Sequence, residues 1–321
     1  MRIEFPSLLP RGVQALCFSA VLVLVCGCAQ TGSLSFGIPL SGLGGASADS
    51  LQTLAVVYDP VPRDGLYQAI PRTFGWPEER MIRDVDRLAA AHIGLVLARF
   101  TPDQLQTEQL RNRFFAFLRV AETRAPDLRC CILLEPELGK DADTAQIRAG
   151  VEDCVAWFVV SGAGKSQAHY QSSDGRPVMA LAPSAHAVAV THPAVCFWYG
   201  SADPSTIAED PSALSRAVPW GTQANPVSVA SDMAFVRVPA PPSLEGGLRR
   251  ARAERLQALA ERLRKALESD PRLMVLDGWN DYSSGTFLEP NSFDRSAVYD
   301  LIAVELASIR GFTQEARRAS N

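Results

Sequence analysis

Long hydrophobic runs are missing from the chain. Its most pronounced hydrophobic run, Val13 to Val25, falls short of the roughly 20 residues a span requires. Positive charge is not in excess: 31 basic residues face 35 acidic ones, a formal net charge of −4, so there is no global field to collect nucleic acid. Histidine is scarce, at four residues, and no Cys/His spacing resembles a zinc site; neither a metal nor an organic cofactor is expected. The Gly-x-Ser-x-Gly elbow that marks many serine hydrolases is missing. The stretch Ser161-Gly162-Ala163-Gly164-Lys165-Ser166 ends like a phosphate-binding loop, but the required first glycine falls on Val159.

Cysteine is present in seven copies, three of them near the amino terminus. There Arg2 and Arg11 precede the short apolar run, and Val25-Cys26-Gly27-Cys28 fits a lipoprotein cleavage box with Cys28 as lipid acceptor. A plain secretory signal or an uncleaved anchor is the competing reading. Residues 1–27 are thus expected to be a signal peptide, and lipid on Cys28 to tether the chain to a membrane at the cell envelope. Ala29 stands where inner-membrane lipoproteins often carry aspartate, which favours the outer membrane. The remaining Cys130, Cys131, Cys154 and Cys196 sit in apolar stretches and read as buried free thiols, although an export route also permits a bridge.

Hydrophobic residues make up 47% and charged residues 21%, ordinary values for a globular domain. Residues 28–50, rich in Gly, Ser and Ala, read as a flexible tether. The rest, 51–321, is close to the ~250 residues of one (β/α)8 barrel. Apolar runs of strand length alternate with helical patterns along it. Strands are expected at Leu54–Tyr58, within Ile93–Phe100, and at Arg129–Leu134, Pro177–Ala182, Ala194–Tyr199, Met233–Val238 and Leu273–Leu276. Helices are expected from Pro77 toward His92, from Thr101 toward Ala121, over Ala145–Val160 and Leu248–Leu267, and from Ser296 to Ile309. The mixed-sign charge run Arg249 to Lys265 reads as a solvated helix face. Alternating strands and helices imply a parallel sheet with right-handed crossovers. Seven strands are one short of a closed barrel, the eighth being expected in the central region; the pattern by itself also fits an open doubly wound sheet.

In a barrel of this kind the chemistry sits at the carboxyl ends of the strands. Four such ends carry suitable groups: Tyr58-Asp59, Glu135-Pro136-Glu137, Trp198-Tyr199-Gly200 and Trp279-Asn280-Asp281. Residues two apart share a strand face, so Glu135 and Glu137, and likewise Asp277, Trp279 and Asp281, are expected to point the same way. Glycoside hydrolysis usually needs two carboxyl groups flanking the scissile bond, one acting as an acid. Aromatic rings beside them would stack on a sugar. A carboxylate at a strand end is also often only a loop residue or a helix cap.

The segment Trp279-Asn280-Asp281-Tyr282-Ser283-Ser284-Gly285-Thr286-Phe287-Leu288-Glu289-Pro290 resembles the Trp-Asn-Glu-Trp-x-Glu-Gly-Thr-x-x-Glu-Pro signature of the glycoside hydrolase family 99-like proteins. His169 to Val178 is similar to the family's Tyr-x-x-x-Asp-Gly-Arg/Lys-Pro-Val segment, and Asp84 to Val96 matches more weakly. The resemblance implies a TIM-type (β/α)8 barrel acting on glycans. It also implies a retaining mechanism through a 1,2-anhydro sugar, with one signature glutamate as base toward the sugar 2-hydroxyl and the next as acid and base at the leaving oxygen. Asp281 falls on the first position and Ser284 on the second, where a hydroxyl is far too weak an acid.

Two readings follow from that departure. One is an envelope glycosidase with Asp281 as base and an acid supplied by Glu135, Glu137, Asp277 or Glu289. The other is a glycan-binding lipoprotein without catalysis. Asp59, Tyr58, Trp198, Tyr199, Trp279, Asn280 and Glu289 are the expected substrate contacts, with a carbohydrate as the partner.

Overall fold

A computed structural model of the chain describes residues 51–61, 69, 76–136, 143–183, 190–201, 215–230 and 232–306. The expected signal peptide, the tether, Cys28, Glu137 and His186 lie outside the described residues.

The first half is built as the apolar pattern predicts. Strand β1 (Thr53–Tyr58) leads to helix α1 (Glu78–Ala90), and β2 (Leu95–Phe100) follows. Pro77 stands at the N-cap of α1, and Glu78 and Glu79 sit in its first turn, where negative charge suits the helix dipole. The single helix expected after β2 is instead two, α2 (Pro102–Gln106) and α3 (Glu108–Arg124). A capping box between Thr101 and Gln104 starts α2, and Thr107 in extended conformation breaks the run, its hydroxyl donating to the Gln104 carbonyl at 2.7 Å. After β3 (Arg129–Leu134), the Asp143 side chain caps α4 (Thr144–Ser161), which ends at Gly162 in the left-handed region. The Gly-Lys-Ser segment therefore follows a helix and not a strand, which is the wrong context for a phosphate loop.

The second half supplies β4 (Val178–Leu181), β5 (Cys196–Ser201), β6 (Ser215–Pro219), β7 (Val227–Ala230) and β8 (Met233–Arg237). Then come α5 (Leu248–Leu267), β9 (Leu273–Asp277), the two short strands β10 (Asn280–Asp281) and β11 (Thr286–Phe287), and α6 (Ala297–Asp300), which runs on as a π-helical turn through Leu306. The eighth strand is β6, in the central region.

The sheet order is β6-β5-β4-β3-β2-β1-β9-β8-β7, with every pairing parallel except the β7–β8 hairpin. Since β6 also packs against β7 and β8, the ring is nearly closed, with β7 at the seam. The eight parallel strands make a TIM-type barrel.

Two apolar layers hold it. Ala55, Val57, Leu95, Leu97, Cys131, Leu133, Phe235 and Val275 fill the barrel. Leu54, Val56, Tyr58, Val96, Ile132, Met274 and Leu276 face outward onto helix residues such as Met81, Leu88, Phe117 and Leu259. Each fully buried Val, Leu or Phe in these layers contributes about 1.5–3 kcal/mol. Cys130, Cys131, Cys154 and Cys196 are free thiols and buried, and burial pushes the Cys154 thiol up to about 12. Among the described residues, no helix is long and apolar enough to cross a membrane.

Candidate functional site

Strand alternation decides what reaches the mouth of the barrel. Inward residues on β1 are Ala55 and Val57, so the next inward position is Asp59; on β2 the series Leu95, Leu97 leads to Arg99; on β3, Cys131 and Leu133 lead to Glu135. By the same rule Phe235 leads to Arg237 on β8, and Val275 leads to Asp277 on β9. The carboxyl end of the ring therefore carries three acids and two arginines in one layer.

Arg99 is the centre of that layer. Its guanidinium donates to both oxygens of Asp59, from Nε at 2.7 Å and from Nη2 at 2.6 Å, and Nη2 also donates to Asp281 Oδ2 at 2.7 Å. Its Nη1 lies 3.3 Å from Glu135 Oε2. Burial opposes the charge, but Asp59, Asp281 and Glu135 hold the guanidinium well above its ordinary pKa. Nothing in the apolar alternation distinguishes an arginine here from a strand-end residue bound for solvent. The signal available was its shared parity with Leu95 and Leu97.

Asp281 arrives from a hairpin. Strand β9 stops at Asp277 because Gly278 turns with φ of 93°, a conformation open to glycine, and a Cβ there would collide with Thr286. β10 and β11 then pair antiparallel, and Asn280 locks the hairpin to β1. The Asn280 amide donates to the Asp59 carbonyl at 2.9 Å, and its oxygen accepts from the Asp59 amide at 2.7 Å. Asn280 is thus fully buried and positions Asp59; it is not a sugar contact at the surface of the mouth.

The Asp281 carboxylate accepts from Arg99, from Ser283 Oγ at 2.8 Å, from the Ser284 amide at 3.1 Å and from Ser284 Oγ at 2.7 Å. Burial alone would raise its pKa; Arg99 and the serine donors outweigh it and lower the group to about 2. Ser284, at the position where the family signature has its second acid, spends its hydroxyl on Asp281 and Thr286.

Asp277 is tuned the other way. It is 6% exposed, and its nearest cation is Arg237, with Nη1 at 4.0 Å. Burial pushes its pKa up to about 6; Arg99 and Arg237 pull against this, while Asp281 and Glu135 add to it.

Several expected contacts lie elsewhere. Tyr58 faces outward: it is fully buried, stacks on Phe117 and donates to Asp84 Oδ2 at 2.8 Å. Trp279 does not share a face with Asp277 and Asp281, because the turn at Gly278 breaks the alternation. It is sealed in the outer layer, edge-on to Tyr299. Tyr199 also points outward, donating to the Val190 carbonyl at 2.5 Å. Trp198 points inward but is buried against Tyr170, toward the amino-terminal end of the barrel. Glu289 is buried behind the mouth, accepting from Tyr282 at 2.8 Å with Arg87 at 3.8 Å. Burial, and then Asp84, push it up to about 7.

The charge run on α5 is not solvated throughout. Arg255 is buried and donates to the carbonyls of Pro239 at 2.7 Å and Phe287 at 2.9 Å, pairs with Asp294 and lies 4.1 Å over the Phe287 ring. It thereby braces the hairpin that presents Asp281.

The mouth as built holds four carboxyl groups, Asp59, Glu135, Asp277 and Asp281, around two guanidinium groups. Glu135 and Asp281 touch different nitrogens of Arg99 at 3.3 and 2.7 Å, which keeps those oxygens within roughly 8 Å of each other, below the ~9.5 Å upper end of the range for glycosidase carboxyl pairs.

No family model and no curated protein matches the chain. Among solved structures, the GH99 endo-α-mannosidase from Bacteroides thetaiotaomicron is similar at 12% identity with a TM-score of 0.54, covering 84% of this chain and 99% of that one. A structure of the same enzyme in complex with BIS-TRIS-propane is similar at 11% identity with a TM-score of 0.52, covering 83% of this chain and 98% of that one. The nearly closed parallel ring, the site at its carboxyl end and this likeness together give the chain the (β/α)8 fold of the family 99-like glycoside hydrolases.

Proposed function

We propose that the protein is a glycoside hydrolase-like protein acting on a glycan or polysaccharide at the carboxyl-end mouth of the barrel. The observation that carries this reading is the pair of carboxylates, Glu135 and Asp281, held on the single guanidinium of Arg99 in a glycosidase-type fold. Asp281, ionised and 10% exposed on its side chain, is the acceptor for a sugar hydroxyl. Glu135, 38% exposed, is the second carboxyl facing the substrate, and Asp59 is a further sugar-binding group at the rim. Ser284 supplies no acid. Its hydroxyl instead helps fix Asp281, which in a hydrolase makes it a positioning residue.

A second reading, a glycan receptor without turnover, is favoured by one feature of the same site. Asp281 already accepts four hydrogen bonds, and a carboxylate held at about 2 is a weak base near neutral pH.

We also propose that lipid on Cys28 anchors the chain in the cell envelope, at the outer membrane. As a flexible chain, the 22 residues from 29 to 50 that follow Cys28 reach roughly 25 Å on average.

The test is a hydrolysis screen of the full chain against polysaccharides and oligosaccharides, beginning with α-linked mannans, with binding followed by calorimetry. Turnover that disappears in Asp281→Asn supports the hydrolase. Saturable binding without turnover selects the receptor, and neither turnover nor binding on any glycan rejects both.

A further inference from the structure

The hydrolase reading leaves one role unfilled, because Ser284 cannot protonate a leaving group and the remaining acids of the mouth are differently placed. Glu289 is buried, bonded to Tyr282 and facing Arg87, neither of which belongs to the mouth layer. Asp59 is bidentate on Arg99, and its backbone is clamped by Asn280. Glu135 is half-exposed and rests on Arg99.

Asp277 differs from all of these. It ends β9 on the inward face, directly in register with Arg237 of β8, at the root of the hairpin that carries Asp281 and Ser284. Among the described residues no donor lies within hydrogen-bond distance of its carboxyl, and its one ion-pair contact is Arg237 at 4.0 Å. A carboxyl kept from water and from strong donors holds its proton, the device by which glycosidases make one of two acids a donor. Its pKa of about 6 agrees with that placement, with Arg99 and Arg237 as the facing cations and Asp281 and Glu135 as the facing anions.

We infer that Asp277 is the proton donor of this site, taking the place of the carboxyl that the Ser284 position lacks. The inference rests on the hydrolase reading above. In the step, the Asp277 proton passes to the glycosidic oxygen as the C1–O bond breaks, and the leaving sugar departs as an alcohol. Asp281 takes the proton of the neighbouring sugar hydroxyl, whose oxygen closes on C1. Water then opens that ring at C1, giving one proton to Asp277, while Asp281 returns its proton to the sugar oxygen. The sum is glycoside plus water to two free sugars, with both carboxyls restored.

The test compares wild type, Asp277→Asn and Glu135→Gln in the full chain. The substrates carry the sugar that the hydrolysis screen returns, linked to 2,4-dinitrophenol, which leaves without protonation, or to 4-methylumbelliferone, which benefits from it. The inference expects Asp277→Asn to lose about 100-fold or more in kcat/KM on the methylumbelliferyl substrate and to stay within about threefold of wild type on the dinitrophenyl one. It also expects the limb of the wild-type pH profile near pH 6 to vanish in this variant. Equal losses on both substrates, no loss, or a leaving-group-selective loss in Glu135→Gln instead would overturn the assignment while leaving the hydrolase reading in place. A wild type inactive on every glycan would overturn both.

Discussion

A buried acid kept protonated for chemistry must cost the fold when it ionises, and Asp277 makes that cost measurable. The unfolded chain ionises this aspartate near its ordinary pKa of 3.8, whereas the folded chain resists until about 6. The sign follows from linkage: the unfolded state loses the proton first, so the penalty is absent below about pH 4, grows as pH rises, and is complete above about pH 6. At 1.36 kcal/mol per pKa unit the gap amounts to about 3 kcal/mol. Asp277→Asn removes the titrating group while keeping its size, so the variant should be more stable than wild type at pH 7.5 by about that amount. For a domain of this length that corresponds to roughly 6 to 10 °C in the midpoint of thermal unfolding. At pH 4 the two proteins should unfold together. The assay is thermal and urea unfolding of both chains at pH 4, 5, 6 and 7.5, read by circular dichroism. A gain of the same size at every pH would mean that packing and not ionisation separates them, and a loss at pH 7.5 would refute the reasoning, because it would show that the charged carboxylate is held by its neighbours rather than penalised.

Asp281 should behave in the opposite sense: with a folded pKa of about 2, its contribution is present above about pH 4 and lost as pH falls toward 2, so Asp281→Asn should cost about 2.5 kcal/mol at pH 7 and much less at pH 2 by the same unfolding series. Asn280→Ala cuts both bonds to the Asp59 backbone and should cost about 1–3 kcal/mol, with glycan binding weakened in calorimetry because Asp59 is no longer fixed. Gly278→Ala combines a φ of 93° with a Cβ driven into Thr286 and should cost more than about 4 kcal/mol, seen as an insoluble or unfolded chain; a folded variant of near wild-type stability would show that the hairpin does not need this turn.

The parts of the fold that the chain's pattern reveals are those where period and parity act alone. Seven of the eight barrel strands stand out as apolar runs between helical segments. Ser215–Pro219 does not, because its serine, arginine and terminal proline carry no apolar alternation and it is defined by pairing with β5. Asp59, Glu135 and Asp281 were legible as carboxylates at strand ends. Which face of each strand looks inward was not, since parallel barrel strands are apolar on both sides. For that reason the pattern points Tyr58 and Tyr199 to the mouth, although they share the outward parity of Val56 and Phe197. Trp279 departs from its expected place for a different reason: counting by twos across Gly278 assumes a strand that the positive φ has already ended. Arg99 stands within an apolar run that gives it no distinction, although a cation at inward parity must find anions. Arg255 was hidden in a charge run whose other members are mostly exposed.

The surroundings of Ser284 distinguish a site that has moved its proton donor from one that has lost it. Its hydroxyl sits 2.7 Å from Asp281 Oδ2 and 2.7 Å from Thr286 Oγ1, and its amide lies 3.1 Å from Asp281 Oδ1. Ser284→Glu would exchange a donor to Asp281 for a like charge beside it. The amide bond and Arg99 would remain, so Asp281 would stay on its guanidinium but rise from about 2 toward an ordinary carboxylate, because one of the forces lowering it is lost and a repulsion is added. The new glutamate, at an exposed position, would face the mouth with Asp281 as its anionic neighbour, which favours its protonated form. If the barrel has merely moved its acid to Asp277, this variant gains little in the hydrolysis screen and remains dependent on Asp277, so that Ser284→Glu combined with Asp277→Asn is as inactive as Asp277→Asn alone. If instead the wild type binds glycan without turnover, the variant should acquire hydrolysis that does not need Asp277. Activity in the double variant therefore separates a site that relocated its proton donor from one that gave it up.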